Sequence, residues 1–309
     1  FWGDAATPEN DFAYEWLPKK SAAKDYSTFG IFESAMAGTM KVLWVVGQNP
    51  AVSSPNLKVV FEALDKLQML VVQELWETET ACFWERPGAD PKSIQTEVLL
   101  LPASFFMEKN GSVTNSGAIV QWRYKAVPAP GQALPDGEVM DYVLRRVRDL
   151  VHESREPKDE IIKKAAWTYL SAEDVLREIN GREIKSGELV SKTGELKPDG
   201  STSSGCWIYA GVFSKGETLS KRRDSRTDPG NLGIYPNFAW TWPNNMRVLY
   251  NRASCDKNGK PYPNSKPIVW WDEAAKKWTG YDVPDVPSLT DGPGTPNGCR
   301  AFHMNAEGV

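Results

Sequence analysis

Two apolar segments separated by a helical pattern stand out in the first half of the sequence. Lys41–Val46 and Met69–Gln73 are nearly continuous apolar runs, which is typical of strands buried on both faces of a parallel sheet. Between them, Ser54 and Pro55 suit the N-cap and the first position of a helix. The apolar stripe of that helix consists of Leu57, Val60, Phe61, Leu64 and Leu67. This pattern predicts a strand–helix–strand unit.

Later segments add two more predicted strands. Glu97–Leu101 reads as a strand that is stopped by Pro102, and Ile119–Lys125 reads as another. An Asn-Gly dipeptide at 110–111 and a Ser-Gly dipeptide at 116–117 are turn signals that flank a short extended piece.

Two further helices are predicted in the middle of the chain. The first opens at Pro135 and Asp136. Its apolar stripe consists of Met140, Val143, Leu144, Val147, Leu150 and Val151. The second begins at Ser171, whose hydroxyl suits an N-cap, with Asp174 at the capping-box position, and Gly181 ends it.

The character of the sequence changes after about residue 185, where Gly, Pro, Ser and Asn become frequent. Tryptophans then stand at positions 207, 240, 242, 270, 271 and 278. We therefore expect an α/β fold, with a Rossmann-like sheet flanked by helices and followed by an irregular extension rich in aromatic and turn residues. The expected divisions are an irregular lead-in (1–38), an α/β domain (39–155), a helical segment (156–200) and the Trp- and Pro-rich extension (201–309).

Charge and cysteine content narrow the class of protein. A net charge of −4 and a pI near 5.5 argue against a nucleic-acid-binding surface. Cys82, Cys206, Cys255 and Cys299 show no C-x-x-C spacing, so an iron–sulfur or zinc site built from this chain alone is not expected. Free thiols are the default, and one disulfide stays open. The chain begins with Phe1 and shows no signal peptide, which suits a late or processed start, or an internal piece of a longer polypeptide.

Polar residues with possible chemistry follow the first predicted strand. They are Gly47, Gln48, Asn49 and Pro50. Glycine lets the backbone approach a bulky ligand, Asn49 can donate to a phosphate or ribose oxygen, and the free N–H groups of a helix beginning near Ser54 suit a phosphate. An ordinary strand-to-helix turn is the alternative.

A second polar group follows the second predicted strand. It consists of Glu74, Glu77, Thr78, Glu79 and Thr80. A carboxylate at a strand end can accept hydrogen bonds from the N–H edge of guanine or from ribose hydroxyls, and threonine hydroxyls suit the polar edge of a pterin. A solvated acidic turn is the alternative. The carboxyl edge of an open α/β sheet is where nucleotide-like ligands bind.

Other candidate residues carry weaker signals. Glu108 and Asn115 bracket the Asn-Gly turn, where Asn115 suits either a ligand contact or the turn itself. We expect a surface or capping role for His152 and a structural role for His303. The basic run 221–226 suits a solvated loop or a contact with another subunit or with phosphate. No spacing suggests a catalytic triad, so catalysis by this chain alone has little support.

Taken in order, the strand-end motifs resemble those of the molybdopterin oxidoreductases. These motifs are the Gly-x-Asn-Pro turn at Gly47–Pro50, Thr-x-Thr-Ala at Thr78–Ala81, Leu-Pro-Ala at Leu101–Ala103, and Glu-x-x-Gly-x-x-x-Asn at Glu108–Asn115. The second half resembles, more narrowly, the catalytic subunit of respiratory formate dehydrogenases. The stretches that carry this second resemblance are Ser204–Tyr209, Arg222–Asp224, Trp240–Pro243, Arg247–Ser254, Lys277–Gly280 and Met304–Gly308.

This resemblance implies an enzyme that oxidises formate to carbon dioxide, or reduces carbon dioxide to formate. It implies molybdenum or tungsten held by two molybdopterin guanine dinucleotides, with [4Fe-4S] clusters only in other segments or subunits. The implied partners are the rest of the catalytic subunit, an iron–sulfur beta subunit, and a cytochrome b or cytochrome c subunit, without nucleic acid. A periplasmic location follows from the same subgroup.

The resemblance also implies roles for individual residues. Phosphates and ribose would be wrapped by Gly47, Gln48, Asn49 and Pro50. Guanine or ribose would be read by Glu74 or Glu79. The dinucleotide or pterin would be faced by Thr78, Thr80 and Asn115.

Parts of the family pattern are missing from this sequence. The cluster-binding cysteines and the metal-ligating residue would lie upstream, and the C-terminal barrel would follow Val309. We therefore expect a middle-to-late segment of the catalytic subunit. A non-catalytic nucleotide-binding or scaffolding paralogue of the same fold is the alternative, and the tryptophans alone suggest a carbohydrate-binding protein.

Overall fold

The fold is given by a computed structural model of the chain. It describes residues 2–17, 19, 21, 23–115, 119–166, 169, 171–214, 216–233, 235–241, 248, 250–285 and 290–293. Two compact units are present. The first contains residues 1–109 and 124–168, and the second contains residues 110–123 and 169–309.

A three-stranded parallel sheet forms the centre of the first unit. Its strands are β1 (Val42–Val46), β2 (Met69–Glu74) and β3 (Glu97–Pro102), in the spatial order β1-β2-β3. Val45 of β1 lies opposite Val72 of β2, so the two strands end at the same edge. The prediction of an α/β unit with a parallel sheet is confirmed. β3 includes Pro102, which had been predicted to stop the strand.

Helices α1 (Thr28–Met36) and α3 (Leu57–Leu64) pack against each other and against one face of this sheet. Their apolar side chains meet those of the strands in one core. This core includes Phe32, Ala35, Val45, Val60, Leu64, Leu70 and Val72. Burial of these side chains stabilises the strand–helix–strand unit through the hydrophobic effect.

The start of α3 differs from the prediction. A separate short helix, α2 (Pro50–Ser53), comes first, and Ser54 is its C-terminal cap. The side chain of Asn56 caps α3 instead, because its oxygen accepts a hydrogen bond from the Val59 N–H at 3.4 Å. The prediction that Ser54 and Pro55 open the helix is therefore wrong. The Asn-Pro pair at 49–50 starts a turn of helix earlier than the apolar stripe indicated.

Two more helices, α4 (Asp136–Val151) and α5 (Pro157–Lys163), complete the described part of the first unit. The predicted start of α4 at Asp136 is confirmed. Its apolar stripe is not buried, however: Met140 is 36% exposed and Leu150 is 67% exposed. None of the residues of α4 is buried within the described chain.

The second unit contains α6 (Ala172–Asn180) and short antiparallel strands. β4 (Gly111–Thr114) pairs with β5 (Ile119–Arg123), which also pairs with β10 (Trp240–Thr241). Two-residue pairs link β6 (Arg182–Glu183) to β7 (Thr202–Ser203), and β8 (Phe213–Ser214) to β9 (Glu217–Thr218). A last hairpin joins β11 (Val269–Asp272) to β12 (Lys277–Gly280).

Helix α6 carries the predicted signals at both of its ends. The Ser171 hydroxyl accepts a hydrogen bond from the Asp174 N–H at 3.1 Å, as an N-cap should. Gly181 follows the last residue with φ +88°, a value that favours glycine. Within the part of the chain described here, no helix is long and apolar enough to cross a bilayer.

Candidate functional site

The ends of β1 and β2 lie side by side at the carboxyl edge of the parallel sheet. The Gly47 N–H donates to the Gln73 carbonyl at 3.0 Å, which extends the pairing one residue beyond β1. Gly47 then turns with φ +60°, and no atom lies within 4 Å of where a side chain would begin. The glycine therefore opens space at this edge, as its sequence position predicted.

Asn49 joins the turn after β1 to the turn after β2. Its Nδ2 donates to the Glu79 carboxylate at 2.6 Å, and its Oδ1 accepts from the Thr80 hydroxyl at 2.8 Å and from the Thr80 N–H at 3.2 Å. The Thr80 hydroxyl in turn accepts from the Ala51 N–H at 3.0 Å. The sequence predicted that these turns converge, and the structure brings Asn49, Glu79 and Thr80 into direct contact.

The backbone N–H groups of α2 find acceptors within the protein. The Ala51 N–H is used by Thr80, and the N–H groups of Val52 and Ser53 both donate to the Asn49 carbonyl. The Ser54 N–H donates to the Pro50 carbonyl. The first turn of α2 therefore offers no free N–H group to a phosphate. The helix that carries the predicted apolar stripe is α3, which begins at Leu57, and the suitability of its first N–H groups for a phosphate stays a prediction.

The turn itself keeps two backbone donors available. Within the residues that the structure describes, the N–H groups of Gln48 and Asn49 have no protein acceptor. Both follow the open Gly47 position, and the Gln48 side chain is exposed. An anion approaching this edge would therefore meet backbone donors rather than side-chain bulk.

A polar cluster at the end of β2 escaped the sequence analysis. Gln73 is fully buried, and its amide donates to the Asp136 carboxylate at 2.8 Å. The other oxygen of Asp136 pairs with the Lys109 ammonium at 2.5 Å. Glu74, which was predicted to read a ligand, is half-buried and accepts from the Leu75 N–H at 2.7 Å. The signal in the sequence that could have revealed this cluster was Gln73, a polar residue that directly follows four apolar residues in the predicted strand.

A cavity of about 740 Å³ lies beside the second turn and α3. Several charged side chains line it, together with apolar ones. Its lining includes Lys58, Phe61, Glu62, Glu77, Thr78, Glu79, Cys82, Glu85 and Arg86. Arg86 pairs with Asp65 at 2.5 Å and lies over the Phe61 ring at 5.1 Å. The cavity thus combines carboxylate acceptors with an aromatic face.

Two pKa shifts occur in the cavity lining. The hydrogen bond from Asn49 is the main cause that lowers the pKa of Glu79, so this carboxylate stays ionised at neutral pH. Burial, followed by the negative charges of Glu77 and Glu85, raises the pKa of Cys82, so its thiol stays protonated. The cavity therefore offers hydrogen-bond acceptors and no thiolate.

The remaining candidates lie elsewhere or are occupied. Asn115 belongs to the second unit, where it directly follows β4. His152 is an exposed C-terminal cap of α4, as expected. His303, the 304–308 stretch and most of the 242–249 stretch fall outside the described residues. Cys82, Cys206 and Cys255 are free thiols, and Cys299 also falls outside the described residues.

The cations of the basic run at 221–226 have partners within the second unit. Lys221 bonds Glu173, Arg222 bonds Glu217, and Arg226 bonds Asp224. Arg223 donates to the Trp122 carbonyl at 2.5 Å. These pairings lie inside the second unit and favour a structural role over the alternative of phosphate binding.

Comparison with known proteins identifies the family. Residues 19–146 match the family model described as molybdopterin oxidoreductase. The alpha subunit of formate dehydrogenase 2 (cytochrome c-553) from Nitratidesulfovibrio vulgaris is 44% identical over 301 residues, which cover 93% of this chain and 29% of that protein. Residues 19–146 therefore form a molybdopterin oxidoreductase domain.

Two more relatives give the same picture. The formate dehydrogenase alpha subunit of Megalodesulfovibrio gigas is 39% identical over 99% of this chain and 32% of its own length. The formate dehydrogenase-O major subunit of Escherichia coli is 37% identical over 100% of this chain and 32% of its own length. The chain therefore spans about a third of the length of these relatives.

Proposed function

We propose that this chain is the part of a formate dehydrogenase alpha subunit that binds one molybdopterin guanine dinucleotide at the carboxyl edge of β1 and β2. The observation that carries the proposal is that Asn49 joins the turns after β1 and β2. Open space lies at Gly47 on one side of this link, and the cavity of about 740 Å³ lies beside the second turn. The names of the relatives support the substrate, formate, and the family supports the pterin.

The residues present fit such a group at its phosphates. Gly47 leaves the edge open, and the N–H groups of Gln48 and Asn49 have no protein acceptor in the described chain. Backbone N–H groups in a glycine turn are suitable donors for phosphate oxygens. Pro50 is buried and fixes the chain direction immediately after these donors.

The cavity fits the nucleoside end. Guanine presents N–H donors on its pairing edge and ribose presents hydroxyls, and both need acceptors such as the carboxylates of Glu77 and Glu79. Thr78 adds a hydroxyl, and Phe61 adds an aromatic face. The cavity of about 740 Å³ is within the range usual for ligand sites, about 300–1,000 Å³.

The other residues predicted at the site take different places in this proposal. Thr80 is fully buried, so its hydroxyl organises the turn. Glu74 is the last residue of β2, and we propose it as a second acceptor for guanine or ribose. Asn115, in the second unit, is proposed to contact the dinucleotide or pterin from its own position after β4.

When bound, the pterin-held molybdenum or tungsten would supply the redox chemistry, in which formate loses two electrons and a proton to become carbon dioxide. This chain's own residues would bind and orient one dinucleotide. Electron transfer to iron–sulfur clusters, an iron–sulfur beta subunit and a cytochrome partner, and a periplasmic location, belong to the same proposal.

The test is cofactor content in the purified enzyme that contains this chain. Acid treatment should release close to one GMP per bound dinucleotide, and metal analysis should find molybdenum or tungsten. Asn49→Ala should lower pterin and GMP content, whereas Asn258→Ala, which replaces an exposed asparagine of the second unit, should leave both unchanged.

Two results would contradict this proposal. Wild-type enzyme without metal or GMP would favour the non-catalytic paralogue. Unchanged pterin content in Asn49→Ala would show that the turn does not contribute to cofactor binding.

A further inference from the structure

The geometry points to Thr80 as a positioning residue, which sets the place of the phosphate-binding turn through Asn49 without touching the ligand. This inference rests on the proposed function, because it concerns the same edge of the sheet. It assigns to Thr80 a role different from the direct ligand contact that its sequence position predicted.

Thr80 has no hydrogen-bond donor left for a ligand. Its side chain is fully buried. Its hydroxyl donates to Asn49 Oδ1 at 2.8 Å and accepts from the Ala51 N–H at 3.0 Å. Its own N–H donates to the same Asn49 oxygen at 3.2 Å. One residue of the second turn therefore holds the first turn at two places, Asn49 and Ala51.

The orientation of the Asn49 amide follows from these partners. The Thr80 N–H can only donate, so the amide oxygen must face it, and the amide nitrogen must face the Glu79 carboxylate at 2.6 Å. Both ends of the Asn49 side chain are therefore used within the protein.

The consequence concerns the donors proposed for the phosphates. The N–H groups of Gln48 and Asn49 sit on the turn that Thr80 and Glu79 hold from the other side. A shift of a few tenths of an ångström in this turn would misalign both donors, because hydrogen bonds to phosphate depend on distance and angle. Removal of the Thr80 hydroxyl should therefore weaken ligand binding, although this hydroxyl is buried and does not contact the ligand.

The first experiment compares Thr80→Val, which keeps the shape and removes the hydroxyl, with Thr80→Ser, which keeps the hydroxyl. In the purified enzyme, we expect Thr80→Val to lower GMP content about fivefold and to speed deuterium exchange at the Ala51 amide by a similar factor, the usual effect of one lost hydrogen bond. Thr80→Ser should restore both readouts to within about twofold of wild type, since its hydroxyl can make the same bonds.

The second experiment exchanges the donor and the acceptor of the hydrogen bond between Asn49 and Glu79. Asn49→Asp places a carboxylate against Glu79, and the repulsion should lower GMP content. The same repulsion should speed deuterium exchange at the Ala51 amide. Adding Glu79→Gln supplies a donor at the other side, so the double variant should slow this exchange again relative to Asn49→Asp alone. Simple damage to folding would not be repaired by a second substitution, and circular dichroism checks that each variant is folded.

The outcomes separate the two proposals. Wild-type enzyme without GMP overturns the proposed function and this inference with it. GMP in wild type, with undiminished content in Thr80→Val, overturns the positioning role alone. Unchanged Ala51 exchange in Thr80→Val, or no recovery in the double variant, also overturns it.

Discussion

The Asn49 amide donates a hydrogen bond of 2.6 Å to the Glu79 carboxylate, although the two residues are 30 positions apart in the sequence. Each residue lies just beyond the end of a parallel strand. The bond therefore reports that β1 and β2 are in register and that their turns have closed on each other. Its partners also make it sensitive to pH and to substitution.

The first prediction concerns pH. The Asn49 amide, the largest cause, holds the pKa of Glu79 below its ordinary value of 4.5. A lowered folded-state pKa contributes stability that is present above pH 4.5 and is lost as the pH falls through the folded-state value. The stability difference between wild type and Glu79→Gln, measured by urea unfolding, should therefore shrink as the pH falls below 4.5.

Glu77→Gln is the matched control for this experiment. Glu77 lies in the same turn and lines the same cavity, but no hydrogen bond to its side chain occurs among the described residues. A difference between wild type and Glu79→Gln that stays constant from pH 7 to pH 3 would contradict the contribution of the Asn49–Glu79 bond.

The second prediction concerns Gly47. Its φ of +60° strains any other residue, although open space surrounds the position of a side chain. Gly47→Ala should therefore lower the free energy of unfolding by about 1–2 kcal/mol through backbone strain alone. Gly131→Ala, at φ +54° and also in open space, should cost about the same amount.

The two glycine variants should differ in cofactor content. A methyl group at Gly47 would project where β1 and β2 end, at the place proposed for the phosphates. Gly131 instead lies in the turn that leads to Leu134, beside the end of β3. GMP release should fall for Gly47→Ala and stay at the wild-type level for Gly131→Ala. Equal GMP content in the two variants would argue against close approach of a ligand to Gly47.

The third prediction concerns the thiol in the cavity. Burial first, and then the charges of Glu77 and Glu85, raise the pKa of Cys82 above the ordinary 9.0. Alkylation by iodoacetamide at pH 8, followed by mass spectrometry of the Cys82 peptide, should be slow. It should become faster in the double variant Glu77→Gln with Glu85→Gln, because more thiolate forms.

Alkylation of Cys206, which belongs to the second unit, provides the internal control in the same digest. Its rate should be the same in the double variant as in wild type. Fast alkylation of Cys82 in wild type, or equal rates before and after the substitutions, would contradict the electrostatic account of this cavity.

The fourth prediction concerns stability of the second unit. Asn180 is fully buried, and its oxygen accepts from the N–H groups of Gly211 at 2.8 Å and Phe213 at 2.9 Å. Its amide donates to the carbonyls of Gly181 and Val190, each at 3.0 Å. Asn180→Ala would leave buried backbone groups without partners, and should cost about 3 kcal/mol or more.

Denaturant unfolding measures this loss, with Asn258→Ala as the control. Asn258 is exposed, and its one hydrogen bond among the residues that the structure describes runs from its backbone N–H to the Asp256 carboxylate at 2.8 Å. Its replacement should change the unfolding free energy by less than about 0.5 kcal/mol. A similar small effect for Asn180→Ala would refute the importance of its four bonds.

The β1–α3–β2 unit was predictable because its signals are local. Continuous apolar runs indicated the strands, and the stripe through Leu64 indicated the helix, and all three are confirmed. The start of that helix was missed because Ser54 and Asn56 are both good capping residues, and local sequence does not choose between them. Asn56 caps α3 because Ser54 already ends the separate short helix that begins at Pro50.

The candidate site was predictable only in its location. The strand-end motifs placed Asn49 and Thr80 at one edge, but not in contact with each other. Gln73 has its partner 63 positions away, and the oxygen of Asn180 has its partners 31 and 33 positions away. No periodicity or capping rule reveals such contacts. The incomplete burial of the α4 stripe was equally unpredictable, because periodicity shows which face is apolar and not what covers it.

The links between the two turns also set an order of events. Asn49 reaches partners 30 and 31 positions along the chain, so the edge exists only after β1 and β2 have paired. The proposed dinucleotide would therefore meet its complete site only where these two strands have paired. Substitutions that weaken the pairing of β1 with β2 should then reduce loading even when they lie far from the ligand.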